Sequence, residues 1–224
     1  MGEAIGQVLP MAVGVALSPI PIIAVVLMLV TPRAKVNGPL FIVGWLVGLA
    51  IVGVIVLGVV GPNSTDANDD PATWVSWLKV VLGFLLLLVA LKEWRGRPKG
   101  DAPPEMPSWM GAIDSFTPVK SAGLGVLLSA VNPKNLLLSV AAGAAIAAVP
   151  GLSSGEQAVA YGVFALIATV GVAAPVVIYF VMGDRAPALL GRLRTWMADN
   201  NAVIMAVLML VIGVKILGDG IGGL

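Results

Sequence analysis

The division of the chain into apolar blocks limits its folds more than any other feature. Six stretches, near 4–30, 38–60, 73–93, 119–149, 157–182 and 201–218, are predominantly apolar. Each is about 20 residues long or longer, enough for a helix to cross a bilayer. The chain is 58% hydrophobic and 11% charged, against about 25% charged for an average soluble domain. Six such helices use up most of the 224 residues, which leaves no room for a soluble domain. The expected fold class is an all-α polytopic membrane protein with six transmembrane helices.

The net charge of +1 conceals an asymmetry. Arg33 and Lys35 follow the first block. Lys92, Arg95, Arg97, Lys99 and Lys120 lie between the third and fourth, and Arg185, Arg192 and Arg194 follow the fifth. Segments 61–72 and 150–156 hold no Lys or Arg, and the first of them carries Asp66, Asp69 and Asp70. The positive-inside rule makes the basic segments cytoplasmic and puts both termini outside. Lys79 opposes this pattern and is expected to snorkel beside Trp74 and Trp77. The first block lacks a basic start and is interrupted by Pro10, so it is expected to remain as a span rather than be cleaved. With no Cys and no His, thiol redox chemistry, disulfides and imidazole proton relays are excluded. No enzymatic activity, cofactor or metal is expected, and no nucleic-acid partner.

Two blocks contain residues that do not suit a helix interior. The first carries Ser18-Pro19-Ile20-Pro21, and the fourth carries Asn132-Pro133-Lys134-Asn135. Proline lacks an N–H and disfavours helical geometry in the residue before it. A simple kink needs one proline; two, at 19 and 21, favour a true break. In each case a capping residue precedes proline, the local signature of a helix start. Each long block is therefore predicted to be two half-helices, with new starts near 19–22 and 133–136.

The halves of the chain also resemble each other. Ser18 aligns with Asn132, Gly44 with Gly162, Gly53 with Gly171, and Lys92 with Lys215, in order and at slowly growing offsets. Each half has an odd number of spans, so the second enters the membrane in the opposite sense. The predicted units are a three-helix repeat over 1–93, a cytoplasmic linker over 94–118 and a second three-helix repeat over 119–224. An inverted repeat with broken helices at matching places is a recurring transporter design, with its substrate site near the midplane.

Half-helix starts carry free N–H groups and a positive dipole end, which favour anions. Lys134 adds a charge, and no Asp or Glu lies deep in any block, since Glu93 and Asp184 fall at cytoplasmic ends. Ser18, Pro19, Pro21, Asn132, Pro133, Lys134 and Asn135 are the candidate substrate-binding residues, for an anionic group. The plain alternative for Lys134 is snorkelling to the inner interface. Gly44 and Gly48 allow close helix packing, and the small residues 141–145 leave either tight packing or a groove. Residues 185–198 read as an interfacial amphipathic helix, with Leu189, Leu190, Leu193, Trp196 and Met197 on one face. Its Arg185, Arg192 and Arg194, with Trp196, are candidate contacts to inner-leaflet lipid.

These stretches, with Leu136-Leu137-Leu138, Gly183-Asp184-Arg185-Ala186 and Gly213-Val214-Lys215-Ile216-Leu217, resemble the GAP family of glycopeptidolipid- and sulfolipid-addressing proteins, within the lysine-exporter superfamily. The resemblance covers essentially the whole chain. It implies the six-span inverted repeat and the movement of an envelope lipid or glycolipid precursor across the plasma membrane. Membrane lipids are then the partners, with a homodimer or a larger lipid-export machinery as the assembly. Two further readings stand beside this one: an exporter of small amino-acid-like or ionic solutes, and a non-transporting subunit of a lipid-export complex.

Overall fold

A computed structural model describes residues 1–60, 73–97 and 108–224. The expected acidic connector at 61–72 and the proline-rich part of the linker at 98–107 lie outside the described residues. The helices are α1 (Gly2–Ala16), α2 (Pro19–Leu29), α3 (Ala34–Val60), α4 (Thr73–Arg95), α5 (Pro118–Val126), α6 (Pro133–Ala147), α7 (Ser154–Met182) and α8 (Ala186–Ile221). A 3₁₀ segment, Ser108–Ser115, precedes α5, and a π-helical turn, Leu127–Val131, ends it. No strand occurs among the described residues.

Three helical stretches are long and apolar enough to cross a membrane, and up to five if each bent pair counts as one span. The bent pairs are α1–α2, at 49°, and α5–α6, at 60°. The outer faces are as apolar as the core. Val54 is 74% exposed, Val119 81% and Val181 78%, more apolar surface than a water-soluble monomer presents. The chain is therefore a helical membrane protein. The stretch from α7 through α8 is counted as a single helical run, but Gly183 interrupts it with φ +51°. That left-handed conformation suits a glycine.

Helix directions follow from the glycine contacts. A Cβ on Gly220 would lie 2.7 Å from the backbone nitrogen of Val80, and one on Gly83 would lie 2.6 Å from that of Leu217. The pairing runs in opposite senses, so α4 and α8 are antiparallel and nearly in backbone contact. Gly44 abuts Ala122, and Gly48 abuts Val126 and Ser129, so α3 and α5 run parallel. The packing pairs also match when the halves are exchanged. α3 on α5 corresponds to α7 on α1, α3 on α6 to α7 on α2, α2 on α8 to α6 on α4, and α2 on α3 to α6 on α7. The packing of α1 on α6 lacks a comparable counterpart between α5 and α2.

One part of the reading is corrected here. Residues 186–198 are not a separate interfacial helix; they are the first turns of α8, which runs unbroken for 36 residues, about 54 Å at 1.5 Å per residue. Only part of the expected apolar face is shared: Leu190 and Met197 are buried in the main core and Leu193 packs against it. Leu189 and Trp196 are 37% and 56% exposed. The i, i+3, i+7 subset points inward because it follows one helix stripe.

Candidate functional site

The two breaks differ in construction. At the second, Asn132 sits at φ −59° and ψ 118°, which ends the π turn, and its Oδ1 accepts from the Lys134 backbone N–H at 3.1 Å. Pro133 takes the first helical position, where its missing N–H costs nothing. Asn135 is fully buried and donates through Nδ2 to the Leu128 carbonyl at 2.8 Å. That carbonyl faces the broken part of the helix, so the side chain supplies the donor that a continuous helix would have provided. The Oδ1 of Asn135 is buried with no partner.

At the first break Ser18 is extended, at φ −65° and ψ 111°, but its side chain makes no cap hydrogen bond. The expected cap is therefore present at Asn132 and missing at Ser18. Pro19 and Pro21 occupy the first turn of α2, and both are buried with Ser18. Two prolines in one turn remove two of the N–H groups that an anion would need. At α6, Pro133 has none and Asn132 takes that of Lys134. The expected free-donor anion site thus has few free donors at either break. The formal charge of Lys134 is the larger feature.

That charge is paired. Lys134 Nζ lies 2.7 Å from Glu93 Oε1, with the side chains 16% and 18% exposed. Side chains on a helix tilt toward its N-terminus. Glu93, near the end of α4, therefore leans back into the bundle, and Lys134, in the first turn of α6, leans out of its helix toward Glu93. The pair joins the two halves of the chain at the mouth of the second break. The sequence reading treated Glu93 as an end-of-helix residue and missed it, although it is the one acidic residue in α4. Nearby, the Arg97 guanidinium stacks 4.1 Å from the Trp94 ring centroid.

The structure places the remaining candidates as follows. Asn132 and Lys134 are half-buried, and Pro133 is exposed. No hydrogen bond or ion pair among the described residues links Ser18, Pro19 or Pro21 to the 132–135 stretch. The first break packs instead on Gly171 of α7, through Ala16, and the second on Gly48 of α3, through Ser129. Both glycines lie mid-helix, so both breaks sit at mid-depth in the bundle. Arg185, Arg192, Arg194 and Trp196 are exposed. Asn37 is a further buried tie that the sequence did not suggest: its Nδ2 donates to the Phe116 carbonyl at 3.0 Å and fixes the start of α3 beside the entry to α5.

Apolar outer faces, two helices broken at mid-depth and a half-buried ion pair between the halves define a polytopic helical membrane protein with a polar element inside its bundle. The chain belongs to the family described as Sap, sulfolipid-1-addressing protein, whose profile matches residues 8–222. Neither the curated proteins nor the solved structures gave a match.

Proposed function

We propose that this protein moves an anionic lipid or glycolipid precursor across the plasma membrane toward the cell envelope, without altering it chemically. The observation that carries this is the Lys134–Glu93 pair. A cation held at the start of a half-helix by a carboxylate from the other half can pass from that carboxylate to the anion of a headgroup. Exchanging one anionic partner for another avoids exposing an unpaired charge, which costs about 2.5–3.5 kcal/mol at mid-bilayer on insertion scales. The family is named for addressing a sulfolipid, and a sulfo group is anionic.

We read the matched packing pairs as support for an inverted repeat. Counting α7 and α8 separately across the turn at Gly183 gives six spans, with both termini outside by the positive-inside rule. This is the architecture expected of the lysine-exporter superfamily. Transport through Glu93 and Lys134 also supplies a carboxylate for energy coupling, which the sequence reading lacked.

The test pairs a deletion strain with reconstituted protein. A transporter predicts loss of a surface lipid, with its precursor retained inside, and movement of a labelled anionic lipid by purified protein in liposomes. Lipid loss in cells with inactive, intact liposomes would favour the accessory subunit. Solute sensitivity with unchanged lipids would favour the small-solute exporter.

A further inference from the structure

The end of the bundle away from Glu93 has a feature that the site above does not use. The second half of α3 and the first half of α7 diverge and leave a cavity of about 600 Å³. Glycine makes the space: Gly53 and Gly58 lie on α3, and Gly162 lies on α7. Gln157 and Tyr161 supply polar groups, and no charged residue lines the cavity. Tyr161 is 5% exposed, with its ring against Gly53. Its hydroxyl and that of Ser139, on α6, are both buried without a hydrogen-bond partner among the described residues. Buried hydroxyls are normally satisfied, so two without partners call for an explanation.

The counterpart of this place in the other half is shut. Gly162 aligns with Gly44. A Cβ on Gly44 would fall on the Ala122 carbonyl, whereas one on Gly162 would meet nothing within 4 Å. The same residue type is thus tightly packed at one end of the bundle and open at the other.

We propose that this cavity is a second substrate subsite, which takes the uncharged, hydroxyl-bearing part of a lipid, a sugar or polyol group. A charged group would enter with no counter-ion in the lining, a heavy desolvation cost. A sugar ring has a C–H face to pack on the Tyr161 ring and hydroxyls to bond Gln157 and the unpartnered hydroxyls. Ligand pockets combine these features: mostly apolar walls with a few placed polar groups. The inference rests on the transport reading for its physiological meaning only, because binding is measured without movement.

The full chain in nanodiscs is titrated with n-octyl β-D-glucoside, n-octyl sulfate and free glucose, with saturation-transfer NMR as the readout and empty nanodiscs as the blank. Gly162→Leu and Gly58→Leu fill the cavity, and at both positions an added Cβ meets nothing within 4 Å, so the fold is kept; an unchanged melting temperature checks this. The glucoside is expected to bind the wild type and to lose at least tenfold in affinity in both filled variants. Lys134→Gln is expected to leave glucoside binding unchanged. Glucoside binding that ignores the filling overturns the subsite. Octyl sulfate binding that the filling abolishes overturns the exclusion of charge, and equal, filling-sensitive binding of free glucose overturns the lipid assignment. Failure of lipid movement in liposomes would count against the transport reading and leave this result standing.

Discussion

The two breaks interrupt corresponding helices at the same depth, yet they are built for different work. The first is dry: Ser18, Pro19 and Pro21 are buried, and no side chain caps the new helix. Two prolines enforce the bend by removing backbone donors. The second is polar: Asn132 caps, Asn135 closes an opened carbonyl, and Lys134 carries a charge matched by Glu93. Backbone covalent chemistry sets the first, and side-chain hydrogen bonds set the second. A break made by proline stays as it is, whereas one made by side chains can exchange partners. This difference assigns geometry to the first break and substrate chemistry to the second.

The largest expected effects test whether both breaks are clamped alike. Gly171→Val would push a Cβ onto the Ala16 carbonyl at the first break, and Gly44→Val would push one onto the Ala122 carbonyl of α5, in the span that carries the second. Backbone cannot yield as a side chain can, so each is expected to cost about 3 kcal/mol or more, the upper range for overpacking. Thermal unfolding of purified protein, with membrane abundance, measures it. If only one substitution destabilises, the two clamps are not equivalent.

The next test separates structure from chemistry at the second break. Lys134→Met leaves the Glu93 carboxylate without a partner, and a deserted polar group of this kind costs about 1–3 kcal/mol, more when charged. The double variant Lys134→Met with Glu93→Gln removes both charges and is expected to recover most of the lost melting temperature. Lipid movement is expected to stay lost in the double variant. Recovery of both would leave the pair a purely structural role.

The sequence showed much of this arrangement and concealed the rest for identifiable reasons. Both break positions were readable because Ser-Pro-Ile-Pro and Asn-Pro are strong local signals. Pro10, Pro39 and Pro175 lie inside helices that continue through them, which shows that a lone proline does not end a membrane helix. The Glu93–Lys134 pair was not readable, because it depends on how α4 meets α6, far apart in the chain. The continuity of α8 was missed for a different reason. Asn200-Asn201 looks like a boundary, yet the Asn200 amide bonds the Trp196 carbonyl at 2.8 Å, within the helix. The uncapped state of Ser18 was hidden because a capping residue type does not guarantee a capping rotamer.

A smaller effect concerns how the second break satisfies its backbone. Asn135→Leu keeps the volume and removes the donor to the Leu128 carbonyl. Leaving that buried carbonyl open is expected to cost about 1–3 kcal/mol, and Asn135→Asp to cost more by adding a charge. The matching position of the first break is Pro21, which has no such bond, so Pro21→Ala is expected to relax the bend rather than open a carbonyl. Melting curves rank the variants, and a neutral Asn135→Leu would mean that the π turn satisfies itself.

The finest discrimination comes from the caps. Asn132→Ala deletes the acceptor for the Lys134 N–H and is expected to cost about 1 kcal/mol, the usual value of a cap. Ser18→Ala deletes no cap bond and is expected to change the melting temperature by less than the error of the measurement. The residue types alone predict equal losses, since serine and asparagine are similar as caps. Side-by-side unfolding of the two variants therefore decides between residue type and observed geometry. A loss at Ser18 as large as that at Asn132 would mean that the serine caps α2 in the membrane, and the claimed division between a dry and a polar break would fail at its simplest point.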